Sequence, residues 1–193
     1  MKRVLILAYD FHPYISVGAL RPYNWFLKLK EFEIEPIVVT RQWNNQHGNI
    51  LDYISPSKNK KTLIEKNEYG IIVKAPFQPH LGNRILLKYG ENKFKLLRRI
   101  FTGFYELAQF FIPIGNKTPI YYAAQNYLLH NKVDLIIATG DPYILFKYAN
   151  KLSKRYNIPW VADYRDPWSK TDYSKKSLLQ NIIETYFEKR YNK

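Results

Sequence analysis

Three short stretches of the chain carry residues whose types and spacing suit ligand chemistry. The first runs Tyr9-Asp10-Phe11-His12-Pro13-Tyr14-Ile15-Ser16-Val17-Gly18-Ala19-Leu20-Arg21, with one glycine just before a helical pattern. A helix N-terminus offers unpaired N–H groups to an anion, and Gly18 lets a ligand approach the backbone. The three-glycine dinucleotide fingerprint and the Gly-Lys-Ser/Thr of a phosphate loop are both absent, and a glycine serving a tight turn fits the same residues. Arg21 stands where a cation opposes the helix dipole, a position better suited to facing an anionic ligand.

The second stretch, Val161-Ala162-Asp163-Tyr164-Arg165-Asp166-Pro167-Trp168, sets Asp163, Arg165 and Asp166 directly after a run of buried residue types. Such carboxylates could accept hydroxyl groups of a polyol or sugar, and a carboxylate base there is chemically sensible. An internal pair of Arg165 with a carboxylate, in an ordinary Asp-Pro turn, explains the same residues. The third, Thr139-Gly140-Asp141-Pro142, joins a strand pattern to a helical one. Asp141 is read as the N-cap and Pro142 as a first-turn proline, while Thr139 and Gly140 are candidates to touch a ligand.

Composition removes several chemistries. With no cysteine there is no disulfide scaffold, thiolate metal site or cysteine nucleophile. His12, His47, His80 and His130 show no ligand spacing with one another or with carboxylates, so no metal is expected. The 193 residues are 46% hydrophobic and 24% charged, which fits one globular domain and excludes disordered and coiled-coil readings. A formal charge of +14 favours anionic partners without choosing among them. No window has the length and apolarity of a membrane span, and the start lacks the long apolar stretch of a secretion signal, so the cytoplasm is the expected location.

The elements that must position these residues follow from hydrophobic pattern. Short, nearly all-apolar runs at 4–8, 34–40, 69–75, 133–139 and 158–163 read as strands covered on both faces. Helical spacing follows the first of them, and Pro22 in a first turn would start that helix near residues 19–21. Another helix carries Leu145, Tyr148, Ala149 and Leu152 on one face, and a last one runs through Leu178, Ile182, Tyr186 and Phe187. Residues 41–69 read as an excursion. The expected fold is α/β: a Rossmann-like, doubly wound, mainly parallel sheet with helices on both faces. In such sheets ligands bind outside the carboxyl ends of strands, which is where all three stretches fall.

A fourth feature lies apart from that edge. Residues 84–115 gather Arg84, Lys88, Lys93, Lys95, Arg98 and Arg99 against Glu91, followed by Ile100, Phe101, Phe104, Tyr105 and Leu107. Bases leading into an aromatic, apolar face suit an interfacial helix on anionic lipid, with Lys95, Arg98, Arg99, Phe101 and Phe104 as contacts. A solvated basic face packed on its own core is the alternative. No nucleic-acid motif accompanies the charge.

Taken together, Ser16-Val17-Gly18-Ala19-Leu20-Arg21-Pro22, Asp134-Leu135-Ile136-Ile137-Ala138-Thr139-Gly140-Asp141-Pro142 and Pro159-Trp160-Val161-Ala162-Asp163-Tyr164-Arg165-Asp166-Pro167-Trp168 resemble the N-terminal, acceptor-side domain of GT-B fold glycosyltransferases of the large retaining family 4. The motifs occur in that family's order and span nearly the whole chain, the third being the most specific. The resemblance implies that the Gly18 loop approaches donor phosphates or acceptor across an interdomain cleft lined also by the turn from Asp163 to Asp166. It implies transfer of a sugar from a nucleotide-sugar to a polysaccharide or lipid-linked acceptor, without metal or other cofactor; the +14 charge and residues 84–115 suit a peripheral enzyme at the inner membrane surface. It also implies a second, donor-binding domain after residue 193, without which this chain would be inactive. Many relatives carry a histidine in the last turn where this chain has Arg165, and no catalytic residue is assigned. Two other readings fit the residues: a stand-alone nucleotide- or phosphate-binding domain, and an anionic-membrane-binding module on a Rossmann-like scaffold.

Overall fold

The computed structural model describes residues 1–44, 50–164 and 178–191. Among them six strands form one sheet: β1 (Lys2–Leu7), β2 (Ile34–Arg41), β3 (Leu63–Lys66), β4 (Ile71–Ala75), β5 (Leu135–Thr139) and β6 (Trp160–Asp163). Their order is β3-β4-β2-β1-β5-β6, and every pairing is parallel except that of edge strand β3 with β4. Seven α-helices accompany them: α1 (Val17–Lys28), α2 (Ile50–Ile54), α3 (Leu81–Tyr89), α4 (Lys95–Ala108), α5 (Thr118–His130), α6 (Ile144–Tyr156) and α7 (Leu178–Tyr191). The mixed α/β, mainly parallel architecture is the one expected.

The central strand explains why the runs are unbroken in apolar character. In β1, Val4 and Ile6 point to one face and pack with Phe11, Phe26 of α1 and Val38. Leu5 and Leu7 point to the other, into a larger core shared with Ile120, Ala124 and Leu128 of α5 and Leu145, Ala149 and Leu152 of α6. Because both faces are covered, alternation disappears. The amino edge of the sheet is tied by Arg3, whose Nε donates to Glu35 Oε2 at 2.8 Å and whose Nη2 donates to the Tyr127 hydroxyl at 2.8 Å.

Several local expectations are corrected. α1 starts at Val17, because the Ser16 side chain accepts from the Ala19 N–H at 3.0 Å and caps it. Pro22 therefore lies in the second turn, where its missing N–H leaves one helical bond unmade. Asp141 and Pro142 belong to the turn before α6, which begins at Ile144 with Tyr143 as its cap residue. The far end of α6 closes at Asn157 in the left-handed region, φ 54°, with its N–H donating to Ser153 O. The buried side of α7 is carried by Phe187, stacked on Phe110 at 4.9 Å, whereas Ile182 and Tyr186 are exposed. Residues 41–69 contain α2 and β3. No helix of the described residues is long and apolar enough to cross a membrane.

Candidate functional site

Strand order reverses at β1: β2 and β4 lie to one side, β5 and β6 to the other. The carboxyl ends of β1 and β5 thus open a crevice, and three chain segments meet there. The loop after β1 is fixed by its aromatics. Phe11 is fully buried with its ring edge-on to Phe26 at 5.7 Å, and His12 stacks on Tyr23 at 4.9 Å. Within the loop the Ser16 hydroxyl donates to Asp10 Oδ2 at 2.9 Å while capping α1, so one side chain fixes both the loop and the helix entry. Gly18 is buried in the first turn of α1.

Arg21, one turn further along α1, reaches over the edge and donates through Nη1 to Asp163 Oδ1 at 2.5 Å. This contact joins α1 to the last residue of β6 across the crevice. The other carboxylate oxygen, Asp163 Oδ2, is buried and has no hydrogen-bond partner among the described residues. Asp163 also anchors the neighbouring strand end, its carbonyl accepting from the Gly140 N–H at 3.0 Å. The structure therefore brings Gly18, Arg21, Gly140 and Asp163 to one edge. Arg165 and Asp166 lie outside the described residues.

Thr139 and Gly140 have structural duties of their own. The Thr139 side chain is buried and donates to Leu7 O at 3.4 Å, so its hydroxyl faces the sheet. A Cβ on Gly140 would lie 2.6 Å from Tyr143 Cε1, which means the glycine makes room for that ring. Of the residues read as membrane contacts, Lys95, Arg99 and Phe104 are exposed on α4, while Arg98 and Phe101 are half-buried.

One part of this edge carried no sequence signal. Arg41, at the end of β2, is 1% exposed and lies within a wall of aromatic rings. Its guanidinium carbon is 3.3 Å from the Phe77 ring centroid and 4.0 Å from that of Trp43. Nη1 donates to Tyr53 O at 2.6 Å and to the Tyr9 hydroxyl at 3.2 Å, and Nη2 donates to Ser55 O at 3.2 Å. Burial lowers the Arg41 pKa and pushes the Tyr9 and Tyr53 phenols up, Tyr53 well above its ordinary value. Trp43 in turn stacks on Tyr14 at 4.1 Å and donates through Nε1 to Tyr9 O at 3.2 Å. A polar pair and an aromatic wall thus flank the crevice, an arrangement that suits hydroxyl recognition on one side and apolar contact on the other.

No protein-family model matches the chain, and no curated protein matches it in sequence. Among solved structures it is similar in fold to a sucrose-phosphate synthase from Thermosynechococcus elongatus, with a TM-score of 0.54 and 11% sequence identity. The match covers 96% of this chain and 40% of that one, so this chain spans well under half the length of its structural neighbour.

Proposed function

We propose that this chain is the acceptor-side half of a glycosyltransferase that moves a hexosyl group from a nucleotide-sugar to a polysaccharide or lipid-linked acceptor, with retention of configuration and without a metal. The observation that carries the reading is the Arg21–Asp163 pair, set at the reversal of strand order with Asp163 Oδ2 buried and unpartnered among the described residues. The fold likeness to sucrose-phosphate synthase supports a GT-B half. In this reading Asp163 fixes the orientation of the Arg21 guanidinium, and the solvent-facing part of that guanidinium donates to a hydroxyl of the acceptor sugar. The N-terminus of α1 directs its partial positive charge at the same crevice and favours the donor's phosphates there. The aromatic wall around Trp43 and Tyr14 bounds the site on the β2 side. A second domain, following this one, supplies the rest of the donor site.

The test is a donor screen on the protein at its native length, reading nucleoside diphosphate release in the presence of glycan and lipid-linked acceptors. Arg21→Ala and Asp163→Asn should each raise the acceptor KM by about tenfold or more, the loss expected when a buried polar group is left unpaired. Wild-type kinetics in both variants would remove the pair from the site. Failure of the wild-type protein to turn over any nucleotide-sugar would remove the transferase reading itself.

A further inference from the structure

α3 and α4 fold back on each other as a hairpin, closely enough that a Cβ on Gly82 would lie 3.0 Å from Arg98 O. The hairpin is braced by Arg98, whose Nη2 donates to Glu91 O at 2.5 Å. Yet α4 buries none of its residues fully. Leu96, Ile100 and Phe104, four residues apart, form one stripe about 12 Å long, and they are 73%, 58% and 55% exposed. Lys95 and Arg99, each one position earlier, form a basic row beside that stripe, and both are exposed. Phe94, also exposed, continues the apolar surface into the connection between the helices. An exposed apolar stripe of this kind is not normal solvated surface.

Alongside the stripe the hairpin borders an open groove of about 580 Å³ lined by Asn83, Lys95, Arg98, Arg99 and Thr102, with Glu91 the one acid among the described residues that line it. Arg98 Nε is buried and has no hydrogen-bond partner among the described residues. An apolar row beside a cationic, donor-lined open groove matches a surface whose acyl chains and phosphate groups lie side by side.

We infer that the α3–α4 hairpin docks the protein on an anionic phospholipid bilayer, with Leu96, Ile100 and Phe104 entering the acyl boundary and Lys95, Arg98 and Arg99 holding headgroup phosphates. Charge complementarity selects this occupant. A second copy of a chain with formal charge +14 would bring like charges together over the hairpin. A nucleic acid would leave the aliphatic stripe uncovered. The inference goes beyond the transfer reading and does not depend on it, since vesicle binding and sugar transfer are measured separately.

Sedimentation with vesicles of phosphatidylglycerol and phosphatidylcholine in equal parts, against phosphatidylcholine alone, tests it on the full chain. Binding should be at least about tenfold stronger to the anionic vesicles. Lys95→Glu with Arg99→Glu should weaken it by about 25-fold or more, each lost base counting for about fivefold. Ile100→Asp with Phe104→Asp should weaken it by at least about tenfold and remove the fraction that survives high salt. All four positions are exposed, so urea midpoints should match wild type. If a charged variant is unstable, Phe104→Trp supplies a second readout: its emission should be quenched by brominated lipid in anionic vesicles beyond the wild-type signal. Equal binding to both vesicle types, indifference to Lys95→Glu with Arg99→Glu, quenching in the Phe104→Trp variant no greater than in wild type, or binding to single-stranded nucleic acid in place of vesicles would each overturn the proposal.

Discussion

Replacing Arg41 by alanine isolates what a buried cation contributes to the site wall. Four hydrogen bonds would go: those to Tyr53 O at 2.6 Å, Ser55 O at 3.2 Å and the Tyr9 hydroxyl at 3.2 Å, and a long one from Nε to Gln42 O at 3.4 Å. Bonds from a charged donor contribute about 1.5–3 kcal/mol each, and the stacking on Phe77 and Trp43 adds about 2 kcal/mol. Against this stands the desolvation of a guanidinium, which offsets several kcal/mol of the gain. The net loss expected for Arg41→Ala is about 2–4 kcal/mol, or about 5–15 °C in Tm for a domain of this size. The damage should be local as well as global. Tyr53 and Ser55 belong to α2 and its exit, so amide exchange should rise first around residues 51–57. Arg41→Met, which keeps apolar volume between the Phe77 and Trp43 rings and removes the buried charge, should lose less than half as much. Urea unfolding with mass-resolved exchange measures both. An alanine variant within about 0.5 kcal/mol of wild type, or a methionine variant as unstable as the alanine one, would refute this account of Arg41.

Two further outcomes follow from single contacts. Ser16→Ala removes the cap of α1 and the bond to Asp10, and should lower stability by about 1 kcal/mol, with Ser16→Thr restoring most of it in thermal melts. Lys147 donates to Gln109 O at 3.1 Å and Phe110 O at 2.5 Å, and burial, helped by the charge of Lys151, pushes its pKa down from 10.5 to about 8. Between those values the unfolded chain binds more protons than the folded one, so this group makes stability rise with pH across that window. The stability of wild type relative to Lys147→Met should therefore grow between about pH 7 and pH 10, by about 1 kcal/mol or less because the ammonium is partly screened by solvent. Tyr148 and Tyr191, pushed up to about 12 by burial, act in the opposite direction but cancel in the comparison. A flat difference across that range, read by urea unfolding at each pH, would show that Lys147 keeps its ordinary pKa.

The parts of the fold that sequence made legible are those where burial on two faces leaves an apolar run, as in β1, β2, β4, β5 and β6. α6 was legible for a different reason, its single buried stripe. α5 gave no such stripe: Ile120, Ala124, Tyr127 and Leu128 are buried, but its exposed face carries Tyr122 and Leu129 beside Asn126, so apolar residues fall on both sides and blur the period. β3 is four residues long and carries Glu65 and Lys66, too short and too polar to register. The start of α1 was misplaced because proline was weighed above the Ser16 cap. Gly18, Arg21 and Asp163 could be placed at one sheet edge because they follow the strand ends, which is where α/β sheets hold ligands. Arg41 could not, because a lone arginine after an apolar run reads as a surface residue. Its burial depends on Tyr9, Trp43, Tyr53 and Phe77, which only the folded sheet gathers around it.

The central place of β1 has a consequence for how the chain is made. β1 finds β2 almost at once, since Leu5 pairs with Ile37, but its other edge waits for β5, where Leu5 pairs with Ile136. At translation rates of about 5–20 residues per second, the interval between the two partners is roughly 5–20 s. For that time the nascent chain presents an apolar strand with one open edge, the form most prone to pair with a neighbouring chain. Expression should thus be more sensitive to the rate of synthesis between residues 41 and 139 than to its rate in any other part of the gene.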